Sequence, residues 1–191
     1  MSKDAKITTP VFNTPVWETI SHFPTGEACE LFSVDEFYNP TGKDLERVAQ
    51  VCRHKIIYDR LFKERFKGEP YTKEKAKEFI DWGKEGWAKR RWFLFLVRNL
   101  RGQISCSVDI KSADLEGAKI GYWASDDSPG IVTSAVIQVC KIARKAGYKR
   151  LVALIASDNE RSARVVGRAG FINAGVVEEE GKKHLRFQKV F

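Results

Sequence analysis

The stretch GYWASDDSPGIVTSAV, residues 121–136, reads as a strand, a tight acidic turn and a helix that begins near Ser128-Pro129-Gly130. A strand entering a helix through a glycine-bearing turn offers backbone N–H groups and a helix dipole to an anion. Asp126 and Asp127 nevertheless sit where that anion would arrive, and Pro129 has no N–H. Serine followed by proline is also an ordinary helix start that requires no ligand. Further along, SDNERSARVVGRAG (157–170) reads as a short helix with Ser157 and Glu160 as its capping box. It places Asn159 and Ser162 within its first turns. Each has a local alternative, a backbone hydrogen bond for Asn159 and a carbonyl one turn back for Ser162. A third group lies on QISCSVDIK (103–111), where a strand puts Ser105, Ser107 and Asp109 on one face. A polar row on a central strand points to a water-lined cleft, in which Asp109 can act as a base.

Other chemistries are poorly supported. His22, His54 and His184 have no metal-like spacing, and Cys29, Cys52, Cys106 and Cys140 form no CxxC pair. No metal site is expected, and reduced buried thiols are. Trp82, Trp87 and Trp92 interleave with Lys84, Lys89, Arg90 and Arg91, a spacing that fits core packing better than a nucleic-acid face. The net charge of +8 favours anionic partners, but it is spread along the chain, as on a solvated face, so nucleic acid is not the expected partner. No stretch approaches the ~18 apolar residues of a membrane span. The start, MSKDAKITTPVF, lacks a signal peptide's apolar core, and a cytoplasmic location is expected.

The elements that must position these residues follow from periodicity. Residues 1–25 read as an extended, irregular arm, and 26–191 as one domain. EACELFSV (27–34) alternates like a strand. GKDLERVAQVC (42–52) and YTKEKAKEFIDWGKEGWAKRR (71–91) have helical spacing, the second starting at Thr72. Residues 91–99, 103–111 and 118–124 read as an antiparallel meander. A helix (130–147), a strand buried on both faces (149–156), the short helix and a hairpin around Glu180-Gly181 complete the chain. This order specifies an α+β fold.

Three segments carry a resemblance: EPYTKEKAKEFIDWGKEGW, IGYWAS with PGIVTSAV, and DNERSARVVGRAGFINAG. Over roughly residues 27–190 the chain resembles the GNAT superfamily of acyl-CoA N-acyltransferases. Within it the chain looks most like the branch that acetylates ribosomal-protein N-termini. The resemblance implies a mixed, mostly antiparallel sheet splayed in the middle and flanked by helices. It implies acetyl-CoA as cosubstrate, with the pantetheine arm pairing with the backbone of Trp123, Ala124 and Ser125. The pyrophosphate would rest on N–H groups of Ser128, Gly130, Ile131, Val132 and Thr133. Asn159 would approach the pantetheine, and Ser162 would protonate the departing thiolate. The implied reaction is direct acetyl transfer to a primary amine, at a protein N-terminus or on a small molecule; a homodimer stays open.

The chain also departs from the pattern. Where relatives have Gln/Arg-x-x-Gly-x-Gly/Ala, this turn runs from Asp127 to Val132, with Pro129 inside it; Lys119 stands where many members carry a glutamate base, and Val166 where many carry a tyrosine. These departures support a rival reading, a GNAT-fold binding or regulatory protein with a degenerate cofactor site.

Overall fold

Most segments with helical or strand periodicity form those elements at nearly the expected bounds. The computed structural model describes residues 9–191, so the first part of the expected arm lies outside the described residues. The elements run β1 (Trp17–Ser21), β2 (Ala28–Ser33), α1 (Gly42–Arg53), α2 (Lys55–Leu61), α3 (Lys73–Lys89), β3 (Phe93–Arg98) and β4 (Ile104–Ile110). They continue with β5 (Ala118–Ala124), α4 (Ile131–Lys145), β6 (Arg150–Ala156), α5 (Glu160–Arg168), β7 (Ile172–Glu179) and β8 (Lys182–Val190).

The strands form one sheet in the order β1-β2-β3-β4-β5-β6-β8-β7. Every neighbouring pair is antiparallel except β5 and β6. This is the splayed, mostly antiparallel α+β sheet that the resemblance implied. On one face α4 and α5 bury the larger core, with Ile131, Ala135, Val139 and Val166 against Val108 and Ile120. On the other face α1 and α3 bury the smaller, with Val48, Ala49, Ala76 and Ile80 against Leu94 and Leu96. Helix α1 begins at Thr41, whose hydroxyl and backbone exchange hydrogen bonds with Asp44, and α3 begins at Thr72 as its sequence predicts.

Two elements depart from expectation. Trp17–Ser21, read as part of an irregular arm, pairs with β2 from Trp17↔Phe32 to Ser21↔Ala28 and covers an edge that would otherwise expose a row of unpaired backbone groups. The chain also turns back into helix after His54 to form α2, a seven-residue helix that buries no residue fully and leans on the smaller core through Ile57 and Tyr58, too short for its period to stand out in the sequence.

Helix α3 lies unusually close to the sheet. A Cβ on Gly83 would stand 2.5 Å from Leu94 Cδ2, and one on Gly86 would stand 2.2 Å from Trp92 Cδ1 and 2.5 Å from its carbonyl oxygen. Around this contact Trp87 Nε1 donates to Leu94 O and Trp92 Nε1 donates to Trp82 O, both at 2.9 Å. The tryptophans that alternate with basic residues are therefore packing groups. Replacing Gly86 by alanine gains up to ~1 kcal/mol of helix propensity. The overlap with a backbone oxygen costs about 1–3 kcal/mol and outweighs it. Gly86→Ala should lower the urea midpoint of unfolding without changing its slope; an unchanged midpoint would contradict the close contact.

Candidate active site

Strands β5 and β6 pair at only two positions, Ala118↔Leu151 and Lys119↔Val152, and then part. On its other side β5 stays paired with β4 as far as Cys106↔Ala124. Ser125 N–H donates to Ser105 O, and Lys111 N–H to Lys119 O. Because an antiparallel strand directs successive residues to opposite sides, residues 119, 121, 123 and 125 spend their backbone groups on β4. Tyr122 and Ala124 face the gap. Of the three residues expected to pair across it, Ala124 does face it, whereas Trp123 and Ser125 are turned away. Tyr122, absent from the expectation, joins Ala124 there. The signal was available in strand parity but needed the partner strand to set its phase.

The turn after β5 also differs from its sequence reading. Ser128 is not the helix cap: Gly130 is, at φ +94°, a left-handed conformation that favours glycine. The N–H groups of Ser128, Ile131 and Thr133 already bond the carbonyls of Ser125, Ser128 and Gly130. Among the described residues, those of Gly130 and Val132 meet no acceptor. Val132 turns its side chain against the larger core, and the buried Thr133 hydroxyl has no partner.

Both carboxylates of the turn are neutralised by residues far away in sequence. Asp127 accepts from Arg47 of α1, from Ser125 Oγ at 2.7 Å and from Ser128 Oγ at 3.2 Å. Arg47 also bonds Ile104 O at 3.1 Å, which fixes the guanidinium at the edge of β4. Asp126 pairs with Arg161 of α5 at 2.6 Å and lies 3.2 Å from His54 Nδ1. An arriving anion therefore meets ion pairs and two unspent N–H groups rather than bare carboxylates.

Across the gap, α5 is capped by Asn159, not by the Ser157–Glu160 box: Asn159 Oδ1 accepts from Ser162 N–H at 3.2 Å. That amide oxygen is spent on the helix itself. Ser162 Oγ shares a 2.6 Å hydrogen bond with Tyr122 Oη, which also donates to Ser162 O at 3.1 Å. This contact bridges β5 and α5 where the strands diverge. Burial pushes the Tyr122 phenol up to about 12, with the Ser162 bond pulling the other way.

The face toward α1 and α3 carries the remaining candidates. The expected polar row is not water-lined: Ser105 and Ser107 are fully buried, and Ser105 is the extra residue of a bulge between Val97↔Cys106 and Arg98↔Ile104. Its hydroxyl donates to Val97 O at 3.4 Å, while Ser107 Oγ and the neighbouring Trp123 Nε1 lack partners. Asp109 is paired with the half-exposed Lys111 at 2.8 Å, in space left by the missing side chain of Gly121. Lys119 pairs with Glu179, which β7 brings in from 60 residues away. Helix α2 and the turn after it are tied over this face by Arg60–Asp158 at 3.1 Å and Lys182–Glu64 at 2.7 Å. No group of three or more potential metal ligands occurs among the described residues. A cavity of about 360 Å³ among Phe12, Asp35, Phe37, Trp87 and Arg90 lies at the opposite end of the sheet. The depression beside the turn, lined by Asp127, Ser128 and Ile131, holds about 200 Å³, so strand geometry rather than cavity size locates this site.

A family model described as an acetyltransferase (GNAT) domain matches residues 36–172. No curated protein matches the chain by sequence. Among solved structures, RimJ of Mycobacterium smegmatis in complex with CoA-disulfide superposes with a TM-score of 0.68 at 17% identity, covering 93% of this chain and 88% of that one. The ribosomal-protein-S5-alanine acetyltransferase of Vibrio fischeri gives 0.63 at 15%, covering 92% and 96%. The microcin C7 self-immunity acetyltransferase MccE, in complex with acetyl-CoA and AMP, gives 0.68 at 20%, covering 84% and 92%. At these identities the likeness is one of fold.

The Arg47–Asp127 pair has a measurable signature. Burial raises the Asp127 carboxyl, but bonds from Ser125 and Arg47 outweigh it and hold the group below the usual carboxylate range. The stability so contributed is complete above an unfolded pKa of ~3.9 and disappears as pH falls through the lower folded value. Arg47→Met should lower the urea midpoint at pH 7, and its deficit should shrink as pH falls below the usual carboxylate range, leaving the part due to the lost Ile104 contact. An equal deficit at pH 7 and below that range would exclude this linkage.

Proposed function

The chain belongs to the GNAT acetyltransferase family, an N-acetyltransferase using acetyl-CoA, and from that premise we propose that its acceptor is a primary α-amine, on a peptide N-terminus or a small molecule. The observation that carries this reading is the parted β5/β6 pair bridged by Tyr122 and Ser162. The gap leaves the strand-edge groups of Tyr122 and Ala124 without a strand partner. The N–H groups of Gly130 and Val132 are unspent beside neutralised carboxylates. An extended amide-bearing arm and a pyrophosphate fit those two features.

Acetyl-CoA supplies the acetyl group as an activated thioester. Tyr122 and Ala124 align the extended arm as a neighbouring strand would, and their N–H groups polarise an oxygen held against β5. Ser162 Oγ holds a proton at the mouth of the gap for the departing sulfur, with Tyr122 Oη behind it. The phenol stays protonated at any assay pH below about 12. Asp109 and Glu179 reach the acceptor side, each already engaged by a lysine. With both carboxylates committed to ion pairs, an amine that needs little help losing its proton is favoured. At pH 7 roughly a tenth of an α-amine with pKa ~8 is neutral, against roughly 0.04% of a lysine with pKa ~10.4. The difference is about two hundredfold in reactive amine.

The test is competition by mass spectrometry between a lysine-free peptide with a free N-terminus and an N-blocked peptide with one lysine. Acetylation of the first should dominate; faster labelling of lysine would overturn the α-amine assignment. Ser162→Ala should lower kcat by about 10²-fold or more with little change in the KM for acetyl-CoA. Tyr122→Phe should lower kcat by about tenfold and leave the pH of half-maximal rate in place. An undiminished rate in Ser162→Ala would remove the serine from proton transfer.

A further inference from the structure

The turn of the first hairpin, residues 22–27, does not project into solvent; it rests on the start of α4. His22 Nε2 donates to Pro129 O at 2.8 Å. The ring of Pro24 packs on Gly130, where an added Cβ would stand 2.7 Å from Pro24 Cγ and Cδ and 3.8 Å from Phe23 Cβ. Phe23 is thereby held immediately beside the unspent N–H groups of the turn, with 56% of its surface exposed. The guanidinium of Arg168, from the last turn of α5, lies 5.8 Å from the Phe23 ring centroid. Arg168 differs from the other arginines of α5. Arg161 and Arg164 are paired with Asp126 and Glu160, whereas Arg168 meets no carboxylate among the described residues.

An exposed aromatic ring fixed by a docked turn, with an uncommitted guanidinium over it, matches a purine base joined to a phosphate. In CoA, the adenosine is tethered to the pyrophosphate by a single ribose, so its seat must adjoin the pyrophosphate turn. We propose that Phe23 carries the adenine ring and Arg168 the 3′-phosphate of CoA, making the chain selective for the 3′-phosphorylated cosubstrate. The inference rests on the acetyl-CoA reading of the turn at Gly130. It assigns the β1–β2 hairpin a part in binding, beyond covering a sheet edge.

Calorimetric titration of the full chain with CoA and with 3′-dephospho-CoA separates the contributions. Wild type should prefer CoA by tenfold or more. Arg168→Ala should erase that preference by weakening CoA alone. Arg168→Gln, which keeps the stem over the ring, should do the same, so loss of packing is not the cause. Phe23→Ala should weaken both ligands by a similar factor of about five to ten and leave their ratio intact, and Phe23→Tyr should restore both. Thermal melting accompanies each variant to show that it is folded. A CoA preference that survives in both Arg168 variants, or unchanged affinities in Phe23→Ala, would overturn the assignment while leaving the cofactor turn in place. Absence of binding by either ligand to folded wild type would overturn the cofactor turn itself, and this inference with it.

Discussion

The constraint on which the rest of this structure depends is the early parting of two parallel strands. Backbone groups inside a sheet are obligatory hydrogen-bonding groups, and leaving a buried one without a partner costs about 1–3 kcal/mol. Here β5 remains anchored to β4 along its length while β6 leaves it after two residue pairs. A protein keeps such an unsatisfied edge where something else pairs with it. The opening is held from both sides. Strand β6 is tied to β8 over seven register pairs from Arg150↔Val190 to Ala156↔His184, and the Tyr122–Ser162 contact spans the two halves.

Polarity follows from the same arrangement. Helices α4 and α5 each begin just beyond the carboxyl end of a parallel strand, on the same face of the sheet. Their N-terminal dipoles therefore converge beside the gap, and the carboxyl end of parallel strands is where such sheets receive ligands. The acidic turn between β5 and α4 would oppose an anion if it stood alone. Arg47 reaches it from α1 and Arg161 from α5, so the elements flanking the gap supply the compensating charge. On the other face α1 and α3 pack closely, and α2 is the loosest element. Helix α2 buries no residue fully; it is held by the partly buried Ile57 and Tyr58 and by an exposed Arg60–Asp158 ion pair, which is weak and screened by salt. An element secured this way is the one best able to move when an acceptor enters.

Much of the architecture was legible in the chain. The inward positions of α4, the buried strand 150–156 and the cap at Thr72 follow from periodicity and capping chemistry, which act over one or two helical turns. Residues 17–21 and α2 were missed for a shared reason: one is a five-residue edge strand and the other a seven-residue helix, each too short for its period to stand out. Serine-proline and Ser157–Glu160 looked like caps on local chemistry. Gly130 and Asn159 hold those places because the helices start where tertiary packing lets them, two residues further on.

The site divides along the same line. The sequence by itself determined the family, the presence of a glycine turn ahead of α4, and the Asn159–Ser162 segment, because these are contiguous motifs whose spacing survives without a fold. Only the tertiary structure decided which residues act together. Strand phase turned Tyr122 and Ala124, rather than Trp123 and Ser125, toward the gap, and phase is set by the register with β4. Pairing of Asp127 with Arg47, Lys119 with Glu179 and Phe23 with Arg168 joins positions at least 60 residues apart. Charge and aromatic contacts act through space over a few ångströms, so a linear reading records the groups but not their partners.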